Sequence, residues 1–405
     1  MKIFIVVGAR PNFMKAAPIL KAIREFNAHR GEWTEPILPF LVHTGQHYDA
    51  QMSDAFFSDL NLPSPDAFLG AGSGSHSEQT AEIMKRFEPV LLKEAPDVLL
   101  VVGDVNSTLA CALVAAKLPA KMKPLIAHVE AGLRSFDRSM PEEINRILTD
   151  QISDLLFVTE ESGTKNLRRE GVAPGRVHFV GNTMIDSLLE FSPRAESSPV
   201  LKQLNLTRGR YALMTLHRPA NVDERDTLVE ILEGLRELVE SCRILFPAHP
   251  RTKKQIHELG LESYFHNSDD QNAKPRPGRI EMLGPQSYLD FLCLMKHARV
   301  VVTDSGGVQE ETTALGVPCV TVRENTERPV TIELGTNILA GTRREGIRQA
   351  IKIQLEAKHG KSKPELWDGR AGARIVGILA ERLIPRKLPL QPLAIESGQM
   401  QENAR

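Results

Sequence analysis

The sequence predicts an α/β protein built from two doubly wound domains that face each other across a cleft. Short apolar runs recur along the chain, and each is followed by a helical pattern, as in alternating β-strands and α-helices. The 405 residues exceed the size at which one hydrophobic core usually keeps growing, so we expect two domains. Hydrophobic residues make up 41% of the chain and charged residues 25%, which is ordinary for a folded protein.

The first series of apolar runs lies in residues 1–190, the predicted N-terminal domain. Each run is short, closes near a Gly, a His or a carboxylate, and precedes a helical pattern, as the strands of a parallel sheet do. The predicted strands are Lys2–Val7, Ile37–His43, Val98–Val102, Pro124–Val129, Leu155–Val158 and Val177–Val180.

The second series lies in residues 201–368, the predicted C-terminal domain. Between the two series, residues 191–200 contain two prolines and three serines without strand or helix periodicity, so we place a hinge there. Residues 369–385 carry a helical pattern that could pack on either domain, and we expect the polar tail 386–405 to be disordered. The predicted strands are Tyr211–Thr215, Arg243–Phe246, Arg279–Met282, Val300–Thr303, Pro318–Val322 and Asn337–Leu339.

Charge and hydropathy exclude two classes of partner. The 50 basic and 51 acidic residues give a net charge of -1, which leaves no positive field for a nucleic-acid backbone. The longest apolar run, Leu109–Ala116, is far shorter than the roughly 20 residues of a membrane helix. The run Ile3–Val7 is too short for a secretory leader, so we expect a cytoplasmic protein without a membrane partner.

The cysteines and histidines indicate neither a disulfide framework nor a metal site. The 4 cysteines lie far apart and form no CxxC pair. His43 and His47 are close in sequence, but they flank Thr44-Gly45-Gln46, which is typical of a loop, so we expect no metal there.

The first predicted strand ends in a segment that suits an anion. Pro11 fits the first turn of the next helix, and Arg10 and Lys15 are both near the N-terminus of that helix. Two cations there are unfavourable by about 0.3–1 kcal/mol each unless an anion joins them, so we predict a bound phosphate. The alternative is that Lys15 extends into solvent. No GxGxxG motif is present, which argues against a dinucleotide site.

Two carboxylates follow neighbouring strands of the first series. Asp104 follows Val98–Val102, and Glu130 follows Pro124–Val129. Adjacent strands lie about 4.8 Å apart, so both groups should reach one small substrate and serve general acid/base chemistry. The alternative for Asp104 is a helix cap. Glutamate is a poor cap and is costly to bury, so a functional role is favoured for Glu130.

A third carboxylate is available where Pro141-Glu142-Glu143 opens a helix. Acidic residues in a first turn complement the helix dipole, which explains one glutamate but not both. Arg134 and Arg146 could balance the negative charge of this cluster.

A turn in the second series is suited to a diphosphate. Ser305, Gly306 and Gly307 follow a strand and open a helix, where small residues let backbone N–H groups approach phosphate oxygens. The alternative is a tight turn with a serine cap. Glu311, one turn further, suits a vicinal diol such as a ribose, and Arg328 offers bidentate hydrogen bonds to an anion.

Two histidines follow other strands of the second series. His217 and His249 lie where an imidazole could bond to phosphate or assist a leaving group. A single histidine is more often a structural residue, and this alternative stays open for His249.

Ten motifs together make the chain resemble the non-hydrolysing UDP-N-acetylglucosamine 2-epimerase family. They are GARPNFMKAAP, TGQHYD, GDVNST, HVEAGLRS, MPEEINR, GNTMID, LHRPANVD, HPRT, DSGGVQEE and RENTERP, in one order from about residue 1 to 345. The resemblance implies a glycosyltransferase-B fold with two Rossmann-like domains, a homodimer, and interconversion of UDP-N-acetylglucosamine with UDP-N-acetylmannosamine for surface polysaccharides. It implies elimination of UDP to 2-acetamidoglucal and re-addition after protonation of the other face of C2, without a nicotinamide or any other cofactor.

The resemblance also implies residue roles. Its catalytic positions match Asp104, Glu130, Glu142 and His217. Its nucleotide-binding positions match Arg10, Lys15, Ser305, Gly306, Glu311 and Arg328. Residues 69–77 depart from the family, because they lack the Arg-Gln pair that some members use in a second, regulatory substrate site.

Other functions stay open at this stage. A related epimerase could hydrolyse the intermediate or accept a modified sugar, such as a diacetamido uronic acid. A glycosyltransferase of the same fold is a further alternative, although no acceptor motif is apparent. A catalytically silent nucleotide-sugar binding protein is disfavoured, because all three carboxylates are retained.

Overall fold

The computed structural model describes residues 1–31, 34–46, 60, 62–267, 278–357 and 363–383, without the side chains of Arg10 and Asn267. The statements below concern these residues. His47 and the predicted tail at 386–405 lie outside them.

The first seven strands form one parallel sheet. They are β1 (Lys2–Val7), β2 (Leu38–His43), β3 (Ala67–Phe68), β4 (Val98–Val102), β5 (Leu125–Ala131), β6 (Leu155–Val158) and β7 (Val177–Phe179). Their order across the sheet is β3-β2-β1-β4-β5-β6-β7. The helices between them are α1 (Arg10–His29), α2 (His76–Glu94), α3 (Asn106–Ala116), α4 (Pro141–Ile152) and α5 (Glu161–Arg169). The strand order reverses between β1 and β4, and sheets of this kind bind ligands beyond the carboxyl ends of such strands.

The second seven strands form another parallel sheet. They are β8 (Tyr211–Thr215), β9 (Arg243–Pro247), β10 (Phe265–Asn267), β11 (Ile280–Leu283), β12 (Val300–Thr303), β13 (Cys319–Thr321) and β14 (Asn337–Leu339). Their order is β10-β11-β9-β8-β12-β13-β14, with the reversal between β8 and β12. The two sheets confirm the predicted fold class of two doubly wound α/β units.

Helices surround the second sheet and connect it to the first. Helices α6 (Thr183–Glu196) and α7 (Val200–Gln203) lie between the sheets in sequence. Those that follow are α8 (Pro219–Val222), α9 (Arg225–Gly234), α10 (Arg236–Ser241), α11 (Pro250–Glu258), α12 (Tyr288–Lys296), α13 (Gly306–Leu315), α14 (Val330–Glu333), α15 (Arg344–Glu356) and α16 (Ala371–Leu383).

The apolar runs became strands because both faces of each sheet are covered. All five residues of β4 are buried, as are all four of β6 and of β12. A strand buried on both faces needs apolar side chains at every position, which is why the runs are continuous rather than alternating. Within the described residues, no helix is both long enough and apolar enough to cross a membrane.

The prediction of a linker without helical structure at residues 191–200 is wrong. Helix α6 continues to Glu196 with Pro193 inside it, because Phe191 and Ala195 face the core and are buried. The short helix α7 then begins at Val200. The division of the chain at residues 190 and 201 stays a prediction.

The last described helix, α16, packs on the first half of the molecule. A Cβ on Gly372 would lie 2.7 Å from the carbonyl oxygen of Pro18 in α1, so only glycine permits this approach. Asp186 Oδ2 accepts a hydrogen bond from the Gly372 amide at 2.8 Å. Trp367 Nε1 donates to the carbonyl of Thr159 at 3.0 Å. The chain therefore returns from the second sheet to the first.

Candidate active site

The carboxyl ends of the two sheets meet at one group of buried charges. From the first sheet come Lys15, after β1, and Glu130, at the end of β5. From the second comes Arg328, which follows β13 and pairs with Glu130 through Nη2 and Oε1. This ion pair joins the two halves of the molecule at the place where the sequence predicts a ligand.

Glu130 lies in a strained position within the strand. Strand β5 runs through Ala131 and not, as predicted, only to Val129, and its register against β6 shifts between these two residues. Glu130 is the extra residue of this bulge, and its φ of 74° costs about 1–3 kcal/mol for a side chain of this size. The bulge turns the carboxylate toward Lys15 and Arg328, and both cations pair with it.

Lys15 is buried, so the alternative that it extends into solvent is wrong. Only 4% of the residue is exposed, and its ammonium pairs with Glu130. A Cβ on Gly103 would lie 3.1 Å from Lys15 Nζ, and Gly103 has a φ of 69°. Asn12 fixes the preceding turn, since its Nδ2 donates to the carbonyl of Val102 at 2.9 Å. Arg10 opens α1, and its predicted ligand contact stays a prediction.

Asp104 does not cap the helix that follows it. The residue before α3 is Val105, and Asp104 instead pairs with Arg146. Burial raises the pKa of Asp104, but the charges of Arg146, Lys15 and Arg328 outweigh burial and leave the pKa below its usual value. Asp104 is therefore held as a carboxylate.

The two glutamates at the start of α4 have different surroundings. Glu143 is 1% exposed, and its carboxylate accepts hydrogen bonds from the amides of Ser135 at 3.0 Å and Phe136 at 2.9 Å. Glu142 is only half-buried. Its charge contributes to raising the pKa of His217, which places it near the second half of the molecule. The structure thus leaves Glu142 as the more available carboxylate.

His217 is oriented by Asp304. The distance from His217 Nδ1 to Asp304 Oδ1 is 2.9 Å, and the Asp304 carboxylate also accepts from the amides of His217 and Arg218 at 3.0 and 2.9 Å. The His217 side chain is 58% exposed, and the charge and hydrogen bond of Asp304 raise its pKa. The sequence analysis missed Asp304 as a site residue, although it directly follows a buried strand, as Asp104 does.

Arg328 is surrounded by three carboxylates. Besides Glu130, its Nε lies 3.0 Å from Glu310 Oε1 and its Nη1 lies 2.7 Å from Glu327 Oε1. A Cβ on Gly306 would lie 2.8 Å from Glu327 Oε1 and 3.0 Å from Arg328 Nη1. Glycine at the first residue of α13 therefore lets the helix N-terminus lie against the guanidinium.

The turn before α13 is not closed by a serine cap. The Ser305 side chain makes no capping hydrogen bond, and the Ser305 amide donates to Thr303 Oγ1 at 3.0 Å. Gly307 faces the first half of the molecule, since a Cβ there would lie 3.2 Å from Met184 Cε.

The remaining predicted residues lie around this group. Glu311 is buried on the second turn of α13, 5% exposed. His249 caps α11, with its Nδ1 accepting from the Arg251 amide at 3.2 Å, so it has a structural role and its ligand contact stays a prediction. It follows β9, the neighbour of the strand that precedes His217.

Two further acidic residues lie beneath the site. Glu160 is 2% exposed and Glu310 is fully buried, and burial raises the pKa of each to about 7. Glu310 Oε1 also accepts from Asn182 Nδ2 at 2.9 Å, which is a second contact between the two halves. Glu160 follows β6 after one residue, as Asp104 follows β4, so its position carried the same sequence signal. Nothing in the sequence distinguishes Glu310 from Glu311.

These features define a class of protein: a two-domain α/β protein in which the carboxyl ends of two parallel sheets meet at paired carboxylates, a lysine and an arginine. A family model described as UDP-N-acetylglucosamine 2-epimerase matches residues 34–380. The chain belongs to the UDP-N-acetylglucosamine 2-epimerase family.

Individual relatives cover nearly the whole chain. The UDP-N-acetylglucosamine 2-epimerase of Methanocaldococcus jannaschii is 44% identical over 384 residues, 94% of this chain and 99% of that protein. The UDP-2,3-diacetamido-2,3-dideoxy-D-glucuronate 2-epimerase of Pseudomonas aeruginosa is 40% identical over 385 residues, 94% of this chain and 100% of that protein. A crystal structure of the Methanocaldococcus jannaschii enzyme with UDP-GlcNAc and UDP matches with a TM-score of 0.83 at 44% identity, over 94% of this chain and 100% of that one.

Proposed function

We propose that the protein catalyses the reversible C2 epimerisation of UDP-N-acetylglucosamine to UDP-N-acetylmannosamine without net hydrolysis. The observation that carries the proposal is the contact of Glu130 with both Lys15 and Arg328. One potential base is thereby held against two cations that suit a diphosphate, at the boundary between the two halves.

The chemistry needs a base and an anion site side by side. A carboxylate removes the C2 hydrogen while the C1–O bond breaks, and the electron pair of that bond leaves with UDP, giving 2-acetamidoglucal. Return of a proton to the opposite face of C2 and attack of UDP on C1 complete the epimerisation. Because the two faces need separate groups, three carboxylates at Asp104, Glu130 and Glu142 are useful.

Ligand binding should release Glu130 from its cations. Lys15 and Arg328 both pair with this carboxylate. A diphosphate between them would take over both cations and leave the carboxylate unpaired beside the sugar.

The second half of the molecule has the groups that a departing UDP requires. The N-terminus of α13 at Ser305 and Gly306 offers backbone amides and a positive field to phosphate oxygens. His217, held by Asp304, can donate a hydrogen bond to the oxygen that leaves C1. Glu311 suits the ribose diol.

A second candidate substrate is a modified UDP-sugar. The Pseudomonas aeruginosa relative, named for a diacetamido uronic acid, is 40% identical to this chain, against 44% for the Methanocaldococcus jannaschii relative. The same elimination chemistry would operate on either sugar. The homodimer, the cytoplasmic location and the supply of surface polysaccharide synthesis stay predictions.

The test is incubation with UDP-N-acetylglucosamine in D₂O, followed by NMR and mass spectrometry. We expect two UDP-sugars, each labelled with deuterium at C2. Release of free N-acetylmannosamine would favour the hydrolysing alternative. A parallel incubation with the UDP-linked diacetamido uronic acid would favour the second candidate if only that sugar became labelled. UDP binding without any exchange would overturn the proposal of an enzyme.

Variants link the exchange to the site. Asp104→Asn and Glu130→Gln should each slow exchange by about 10²–10⁴-fold, because each removes a proton-transferring group. Glu281→Gln is the matched control, since Glu281 is also buried and paired with an arginine, Arg243, but lies in the second sheet away from the charged group. Exchange at the wild-type rate in either site variant would remove that residue from the mechanism.

A further inference from the structure

Arg146 lies between the half-buried carboxylate of Asp104 and the buried carboxylate of Glu143. Its Nη2 pairs with Asp104, and its Nη1 lies 2.7 Å from Glu143 Oε2. Only 3% of the Arg146 side chain is exposed. One guanidinium therefore joins a carboxylate of the proposed mechanism to one that the mechanism does not use.

Helix α4 holds Asp104 at two points. Besides the contact from Arg146, Asn145 Nδ2 donates to the Asp104 carbonyl oxygen at 2.9 Å. The backbone and the carboxylate of Asp104 are thus attached to consecutive residues of one helix, which limits rotation of the side chain.

Glu143 holds the loop that precedes α4. We call residues 134–140 the bridging loop. The Glu143 carboxylate accepts from the amides of Ser135 and Phe136 and from Ser135 Oγ, at 3.0, 2.9 and 2.9 Å. Phe136 has a φ of 59°, a conformation that a bulky residue adopts only when its surroundings impose it. Those hydrogen bonds supply the constraint.

The bridging loop contacts the second half of the molecule. Asn325 Nδ2 donates to Asp137 Oδ2 at 3.4 Å, and Arg218 Nη1 lies 3.5 Å from Met140 Sδ. Arg218 follows His217 directly. A continuous set of contacts therefore runs from Asp104 through Arg146 and Glu143 to the other side of the site.

We propose that Arg146 is a positioning residue that keeps the Asp104 carboxylate correctly aimed, and that through Glu143 it ties this carboxylate to the bridging loop. The inference rests on the proposed epimerase function and assigns a role to a residue pair outside the catalytic set. Glu143, the neighbour of Glu142, is then part of the support and does not touch the substrate.

The consequence for pH follows from the charges that face Asp104. They are Arg146 from α4, Lys15 from α1 and Arg328 from the second half. Arg146 makes the largest contribution that lowers the pKa of this carboxyl group, so its removal raises that pKa. In the variant, Asp104 would then become protonated at a higher pH than in wild type. Activity that needs the ionised carboxylate would be lost at that higher pH.

The experiment compares C2 exchange of wild type, Arg146→Gln and Arg146→Lys between pH 4 and 9. For Arg146→Gln we expect kcat to fall about 10- to 100-fold and the acidic limb of kcat/KM to move up by about 1–2 pH units. Arg146→Lys keeps the charge but contacts both carboxylates less well. The acidic limb of kcat/KM should therefore return to its wild-type pH, while kcat stays reduced. The UDP dissociation constant should change less than threefold in both variants.

Arg134 supplies the matched control. Its side chain is 1% exposed and also pairs with two carboxylates, Asp150 at 2.7 Å and Glu170 at 2.7 Å, but it is not in contact with Asp104. Arg134→Gln should lower the melting temperature as Arg146→Gln does, yet leave the acidic limb in place. Equal shifts of the limb in both variants, or no shift in a folded Arg146→Gln, would overturn the positioning role.

Glu143→Gln separates the two parts of the contact set. Arg146 still faces Asp104 in this variant, so the acidic limb should not rise, while loss of the hold on the bridging loop should lower kcat. A limb that rises as far as in Arg146→Gln would contradict this division. If wild type itself shows no exchange, the proposed function fails, whereas exchange with unshifted Arg146 variants rejects the positioning role alone.

Discussion

At the scale of single residues, Glu130 combines a strained backbone with a fully paired side chain. Its φ of 74° is uncommon for glutamate, and its carboxylate lies between Lys15 and Arg328. The sequence predicted an important carboxylate here, because burial of an unpaired glutamate is costly. It did not predict the pairing with Arg328, since the two residues are 198 positions apart and only the folded chain brings them together.

The pairing predicts that Glu130 competes with the ligand. Glu130→Gln should bind UDP about 10-fold more tightly than wild type, because no internal anion must first leave the two cations. Isothermal titration calorimetry with UDP measures this directly. Asp104→Asn is the control, since it also removes one negative charge from the site. Asp104 pairs with Arg146 and not with Lys15 or Arg328. If both variants tighten binding equally, general charge repulsion explains the effect and competition by Glu130 does not.

At the scale of elements, continuous apolar runs predicted the strands well, whereas two short strands were missed. All twelve predicted strands end within two residues of the end of an observed strand, because runs covered on both faces must be apolar throughout. The edge strands β3 (Ala67–Phe68) and β10 (Phe265–Asn267) are too short to form a recognisable run. Helix α6 was missed beyond residue 190, since Pro193 and nearby serines hide a pattern that packing of Phe191 and Ala195 stabilises.

The attachment of α16 predicts a stability change in the mildly acidic range. Burial raises the pKa of Asp186 to about 6, although the amides of Gly372 and Ala371 at the start of α16 act to lower it. The folded protein therefore holds this proton more tightly than the unfolded chain does. The resulting stability is present below about pH 4 and is lost as the pH rises through 6. The difference of about two units between the pKa of Asp186 in the folded and unfolded states corresponds to about 3 kcal/mol of stability.

Asp186→Asn removes this dependence while keeping an acceptor for the Gly372 amide. The melting temperature of the variant should gain on that of wild type as the pH rises from 4 to 7, as measured by differential scanning fluorimetry. Asp368→Asn is the control, because the Arg374 contact lowers the pKa of Asp368, so the contribution of this group to stability changes only below about pH 4. A constant difference between Asp186→Asn and wild type over this range would contradict the prediction.

At the scale of the whole molecule, buried acids lie along the contact between the two halves. Glu160 belongs to the first half and Glu310 to the second, and Oε2 of each has no hydrogen-bond partner among the described residues. The charge of Glu310 adds to burial in raising the pKa of Glu160. Sequence reasoning placed the predicted site at the sheet ends. It did not predict this pair of buried acids, which we call the seam, because Glu160 and Glu310 are far apart in the chain.

The seam predicts that the fold weakens as the pH rises from acidic to neutral. Since both pKa values are raised to about 7, the stability from these protons is full below about pH 4.5 and is lost as the pH rises through 7. The melting temperature of wild type should drop between about pH 4.5 and 7.5, and that of Glu160→Gln should drop less. Glu281→Gln should follow wild type. Identical slopes in wild type and Glu160→Gln would exclude ionisation of the seam as the cause.

The return of α16 to the first half means that the polypeptide crosses from one half to the other twice. A single connection would allow the two halves to rotate relative to each other in any direction. Two separate connections, one after α6 and one ahead of Trp367, restrict relative motion to bending about the line that joins them. Any separation of Arg328 from Glu130 would then be limited to bending about this line.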